Sequence, residues 1–258
     1  MKSISLYVDN GSYLTKIHPF TKLMYIVTMI VTTVLSGKLW VYGICIGLSA
    51  LLLFAGKIFR KTLPLIAFSF TILITIFLIH GLFHQGNHNV LFQIGSVKFY
   101  KEGLLYASKI GLNILNLLLS FAVFVLSTKP AELVDEMEKK GMPSKFCYMI
   151  SSVFQIIPQM TGTMHTIMDA QRSRGLETEG RLLTRMKAFL PLISPVVMSS
   201  LISTRERAIA LEVRGFDSKN KKTYIEIREK MLIDRVLNGI MAVLIIGMII
   251  WRVMICLL

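Results

Sequence analysis

The sequence predicts an all-helical, multi-pass membrane protein: about five transmembrane helices plus a cytosolic helical domain with two long amphipathic helices ending in Arg-Gly motifs. Three observations carry this. Hydrophobic residues make up 53% of the 258 and charged residues 17%, with a mean hydropathy of +0.62, values foreign to soluble domains. Five apolar runs are separated by polar or basic stretches. Charge is segregated as well, because residues 128–230 hold 17 of the 29 Lys and Arg and 12 of the 15 Asp and Glu.

Residues 1–19 are polar and turn-rich, without the form of a signal peptide, so the first span is expected to be retained. Pro19, Thr21 and Lys22 make a helix start before the apolar run Leu23 to Leu35. The spans expected in the N-terminal membrane region, 1–127, cover about 20–36, 39–56, 64–83 and 104–127. Gly37-Lys38 turns between the first two, and Lys57, Arg60 and Lys61 close the second. Residues 84–102 read as a polar connection with Gly86, Asn87, Asn89 and Gly95 as turn signals. Asn113 and Asn116 in the fourth span are of the kind that join helices.

From 128 to 230 the character is that of a water-facing domain. Pro130 to Lys140 has proline first, acids early, lysines late and Gly141 after it, which suits a short helix and its dipole. Phe146 to Met168 and Ala188 to Ile202 are apolar enough to be mistaken for spans. If both crossed, Arg172, Arg174, Arg181, Arg185 and Lys187 would lie in one external loop, against the positive-inside tendency. They are therefore expected to be amphipathic helices along or under the membrane, with Pro158, Pro191 and Pro195 as bends or hinges. The last span occupies 231–258, with Arg252 near its far end, where it can snorkel. The N-terminus and 128–230 are then cytosolic.

The net charge of +14 does not point to nucleic acid, since the basic residues sit between apolar stretches and not in a polar groove. Cys45, Cys147 and Cys256 are far apart in apolar sequence and read as packing residues. No phosphate-cradling loop, zinc-protease motif or Cys/His ligand cluster is present, so no catalytic role and no metal is assigned. Glu132, Asp135, Glu136 and Glu138 crowd together without the glycine turn of a calcium loop and read as a solvated helix face. His80, His84 and His88 are spaced by four, but Gly86-Asn87 interrupts the third, and they read as interfacial.

One pattern is written twice at an offset of 40 residues. Ala170, Arg174 and Gly175 correspond to Ala210, Arg214 and Gly215, each at the end of a helix-like stretch. A cation before a glycine is an ordinary helix C-cap. Two copies on the cytosolic side suit a further use, because a planar guanidinium at a helix end can pair bidentately with an acidic groove on another protein.

The segments Gln171 to Glu177, Leu182 to Val197 and Arg205 to Asp217 resemble the T component of energy-coupling factor (ECF) transporters, the family that includes transmembrane proteins of cobalt, nickel, biotin and other vitamin importers. His18 to Leu23 is similar to that family's Asp-Pro-x-x-Lys start of the first span, and the resemblance covers essentially the whole chain. It implies a prokaryotic plasma-membrane subunit that selects no substrate and hydrolyses no ATP. Arg174, Gly175, Arg214 and Gly215, flanked by Ser173 and Val213 where the family usually has alanine, would dock two cytosolic ATPase subunits, which bind the ATP and Mg. A separate substrate-binding membrane subunit, the S component, would be the other partner, and the cargo a vitamin or transition-metal ion. A self-contained secondary transporter or channel is the alternative. It would call for broken repeat spans and intramembrane acids, and there is no acid between Leu23 and Phe83 or between Leu104 and Leu126. A membrane-embedded enzyme would need clustered carboxylates or histidines at the membrane face.

Overall fold

The computed structural model describes residues 11–83, 89–94, 97–175, 182–218 and 231–257, with side chains described for all but 90–94, 97–99, 182–190, 256 and 257. It divides into two compact units, Leu6–Leu133 with Arg228–Leu258, and Val134–Ile227 with Met1–Ser5.

The larger unit holds α1 (Tyr13–Lys16), α2 (Pro19–Ser36), α3 (Leu39–Ala55), α4 (Phe59–Phe83), a hairpin of β1 (Val90–Ile94) and β2 (Val97–Tyr100), α5 (Lys101–Ser127) and α9 (Leu232–Leu257). Among the described residues, α2, α4, α5 and α9 are long and apolar enough to cross a membrane, and α3 is a shorter apolar helix of 17 residues. At 1.5 Å per residue α3 is about 26 Å long, at the lower limit of a span. Helix α4 begins five residues before the expected Pro64. A proline this close to a helix start removes only one early hydrogen bond, and the Thr62 hydroxyl donates to the Phe59 carbonyl at 2.6 Å.

Helix α5 packs against α2, α3 and α4. Leu119, Ala122, Val123 and Leu126 of α5 form the core with Leu14, Leu53 and Ile58. The approach of α4 to α5 is close at Gly111, where a Cβ would collide with the Leu73 side chain. Asn113 and Asn116 join helices as expected. Thr33 of α2 donates to the Asn113 side chain at 3.3 Å, and Asn116 Nδ2 donates to the Met29 carbonyl at 3.4 Å.

The turn between α3 and α4 closes with Lys57 N–H on the Phe54 carbonyl and Ile58 N–H on the Leu53 carbonyl, the paired bonds of a Schellman cap. Lys57 takes the left-handed conformation there, φ 54°, and it is the one described non-glycine residue that does. The stretch read as a polar connection contains the antiparallel hairpin, with Gln93 opposite Lys98 and Ile94 opposite Val97. Four turn-forming residues within 84–102 mask two short runs of β-branched and aromatic residues in the sequence.

The smaller unit carries α7 (Ser144–Ser173) and α8 (Leu182–Val213), preceded by α6 (Pro130–Lys139), which begins in the larger unit. Helices α7 and α8 extend well beyond the apolar stretches that announced them and run unbroken through Pro158, Pro191 and Pro195. On α6, Glu132 pairs with Lys129 at 3.8 Å and Glu136 with Lys139 at 2.7 Å, so two of the four clustered acids are neutralised by lysines beside them.

Candidate functional site

The two Arg-Gly motifs form the C-terminal ends of α7 and α8. At the first, Arg174 is the C-cap and Gly175 follows at φ 86°, its N–H donating to the Arg172 carbonyl at 2.9 Å. At the second, Gly215 has φ 72°, its N–H donates to the Glu212 carbonyl at 2.9 Å, and Phe216 N–H donates to the Leu211 carbonyl at 3.0 Å. These bonds satisfy last-turn carbonyls, and only glycine adopts such a φ without strain. The glycines therefore stop each helix immediately after its arginine.

The side chains around each cap dispose of one another and leave the two arginines outward. Arg172 Nη1 approaches Asp169 at 4.0 Å, and the Ser173 hydroxyl donates back to the Asp169 carbonyl at 3.0 Å. Asp217 pairs with Lys145 at 2.8 Å. Arg174 and Arg214 are exposed, and among the described residues neither has an ion pair or side-chain hydrogen bond. Ser173 turns its hydroxyl onto its own helix, and Val213 presents an isopropyl group that is 83% exposed beside Arg214.

Helices α7 and α8 cross antiparallel. Phe216, just past α8, packs on Tyr148 with centroids 5.3 Å apart, and Arg207 Nη2 donates to Gln159 Oε1 at 2.6 Å, so numbers rise on α7 as they fall on α8. The facing surfaces near that bond carry Thr163, Ser200 and Ser203, small enough for close approach. At 1.5 Å per residue, Arg174 lies about 22 Å beyond the Gln159 contact along α7, and Arg214 about 10 Å beyond Arg207 in the opposite sense. The two guanidinium groups are thus roughly 30 Å apart along the pair.

Pro158 adjoins Gln159 inside α7, where the Thr161 hydroxyl donates to the Pro158 carbonyl at 2.7 Å, and Pro191 and Pro195 lie inside α8. His80 packs edge-on against Tyr106 with centroids 5.1 Å apart, while His84 and His88 lie outside the described residues, as does Arg181. Cys45 and Cys147 are buried thiols.

The sequence reading missed a second constellation in the larger unit. Lys22 is buried, 5% exposed, and its Nζ donates to the Ser127 carbonyl at 2.7 Å, in the last turn of α5. Asp234, 2% exposed, accepts the His18 backbone N–H at 3.1 Å and the Met231 N–H at 3.1 Å. Asn238 Nδ2 donates to the Thr21 hydroxyl at 3.2 Å. Lys22 was legible as part of the His18 to Leu23 motif, but its partner is 105 residues away. Asp234 sits three residues after the residue it caps, the spacing of a capping box, but Met231 lacks the side-chain oxygen that advertises one.

The family model described as cobalt transport protein (CbiQ) matches residues 10–225. The chain belongs to this family. It is 30% identical over 234 residues to the energy-coupling factor transporter transmembrane protein EcfT of Bacillus subtilis (strain 168), covering 85% of this chain and 86% of that protein. It is 28% identical over 235 residues to the protein of the same name from Staphylococcus aureus (strain 04-02981), covering 85% of each. A third, from Listeria innocua, is 26% identical over 258 residues, 95% of this chain and 96% of its own length. The expected family is therefore the right one, and the chain is a helical member, with one short hairpin, of a group of transporter transmembrane components.

Proposed function

We propose that this chain is the coupling subunit of an ATP-driven importer in a prokaryotic cell membrane, docking two cytosolic ATPase subunits through Arg174 and Arg214 and passing their movement to a separate substrate-binding membrane subunit. The observation that carries the reading is the pair of exposed guanidinium groups, free of partners among the described residues, at opposite ends of an antiparallel helix pair. Each can enter an acidic groove, where a bidentate pair is strongest, and a roughly 30 Å separation suits two grooves better than one. ATP and Mg belong to the ATPases, and the cargo, a vitamin or a transition-metal ion, is selected by the third partner.

The charge pattern supports a cytosolic 128–230, since Lys57, Arg60 and Lys61 lie on the same side as this basic region when four spans precede it. On α7, Phe146, Met149, Val153 and Ile157 form an exposed apolar stripe at helical spacing. That stripe fits burial against lipid or the membrane partner.

Co-purification tests the proposal. Two ATPase subunits, identical or different, are expected to come down with the wild-type protein, and R174E/R214E is expected to lose them while still inserting into the membrane. A double variant that retains its ATPases sinks the docking role. Adjacent genes for ATP-binding cassettes would agree with the proposal at little cost.

A further inference from the structure

The cluster of Lys22, Asp234 and Asn238 gathers the two places where the chain leaves and rejoins the membrane bundle. It leaves after Ser127, at the end of α5, and rejoins at Met231, before α9. Lys22, in the first turns of α2, donates to the Ser127 carbonyl, and its cation faces the negative end of the α5 dipole. Asp234 joins the opposite side of the same joint: one carboxylate oxygen holds the start of α2 through the His18 N–H, and the other holds the start of α9 through the Met231 N–H. Thr21 and Asn238 repeat the α2–α9 link about one turn further on. At the far end of these two helices Lys38 lies over the Trp251 ring, 5.4 Å from its centroid, so α2 and α9 run side by side over their length.

We propose that Lys22 and Asp234 are positioning residues that clamp these ends together, so that displacement delivered to residues 128–230 enters the bundle as a concerted movement of α2, α5 and α9. This rests on the coupling role above. Helix ends fray readily when their last carbonyls and first N–H groups go unsatisfied. A push arriving at residue 128 or 231 would then be absorbed by unwinding the nearest turn. The Ser127 carbonyl is held by Lys22 of α2 and the His18 N–H by Asp234 of α9, in each case a buried side chain from another helix, while the second Asp234 oxygen caps its own helix at Met231.

The test uses the full chain in complex with its ATPases in lipid nanodiscs, in a background without the native cysteines. Spin labels at Phe83→Cys on α4 and Met254→Cys on α9 report a distance within the bundle. Exchanging ADP alone for the ADP–vanadate complex trapped after ATP hydrolysis is expected to shift that distance in the parent complex. Lys22→Met and Asp234→Asn are each expected to cut the shift at least fivefold with the ATPases still bound, and Lys22→Arg to restore most of it. An undiminished shift in both variants, or no shift in the parent, overturns the clamp. Failure of both variants to accumulate in the membrane also overturns it, by assigning the cluster to folding alone. Absence of ATPases from the parent preparation would instead be a failure of the docking role.

Discussion

The chain places cations at the C-terminal ends of helices in two opposite ways. Lys22 reaches from α2 to the last turn of α5 and is buried there, its ammonium bonded to the Ser127 carbonyl. Arg174 and Arg214 close their own helices and stay exposed. The dipole attraction is common to all three, so it cannot explain the difference. What separates them is whether the donors are consumed inside the molecule. A buried cation with a fixed carbonyl acceptor holds helices together, while an exposed guanidinium beside a glycine stop keeps its bidentate face turned to solvent.

The largest effect expected from breaking this contrast is on association. On the proposed docking, R174E/R214E should weaken ATPase co-purification at least 100-fold, because each substitution would remove one partner of a charge pair, at about 2–5 kcal/mol, and add a repulsion; pull-down against a titration of ATPase reads it. The same double variant should lower the thermal unfolding midpoint of the detergent-solubilised protein only slightly, since each exposed helix end loses a dipole attraction of about 0.3–1 kcal/mol. Lys22→Met should do the reverse, leaving docking intact and costing about 1–3 kcal/mol of stability, since the Ser127 carbonyl loses a buried donor.

Smaller effects sharpen the role of the backbone. Gly215→Ala should cost about 1 kcal/mol through the left-handed cap and speed amide exchange in the last turn of α8, blunting docking without touching a charge. Lys57→Gly should go the other way, a gain of up to about 1 kcal/mol at the α3–α4 turn, visible as a raised unfolding midpoint. Asn116→Leu belongs between the two, at about 0.6 kcal/mol lost, the average of hydrogen bonds between membrane helices.

The membrane helices were legible because their signal is local: runs of about 17 to 25 apolar residues with basic or glycine punctuation. Boundaries were less so. Helix α8 continues through Arg205, Glu206 and Arg207 to Val213 because charged residues are good helix formers even where hydropathy ends. The Arg-Gly ends could be read as caps from the glycine alone. Their opposed directions could not, since these follow from Gln159 meeting Arg207 across 48 residues. Lys22 and Asp234 escaped for the same reason, and Lys57 because its left-handed turn lacks the glycine that usually marks one.

The antiparallel crossing also makes α7 and α8 a pair of levers with unequal arms. Measured from the Gln159–Arg207 bond, the arm ending at Arg174 is about 22 Å and that ending at Arg214 about 10 Å. A given angular swing about that point would carry one arginine roughly twice as far as the other. Two machines gripping these ends would have to differ in stroke, or else the fulcrum itself would have to travel.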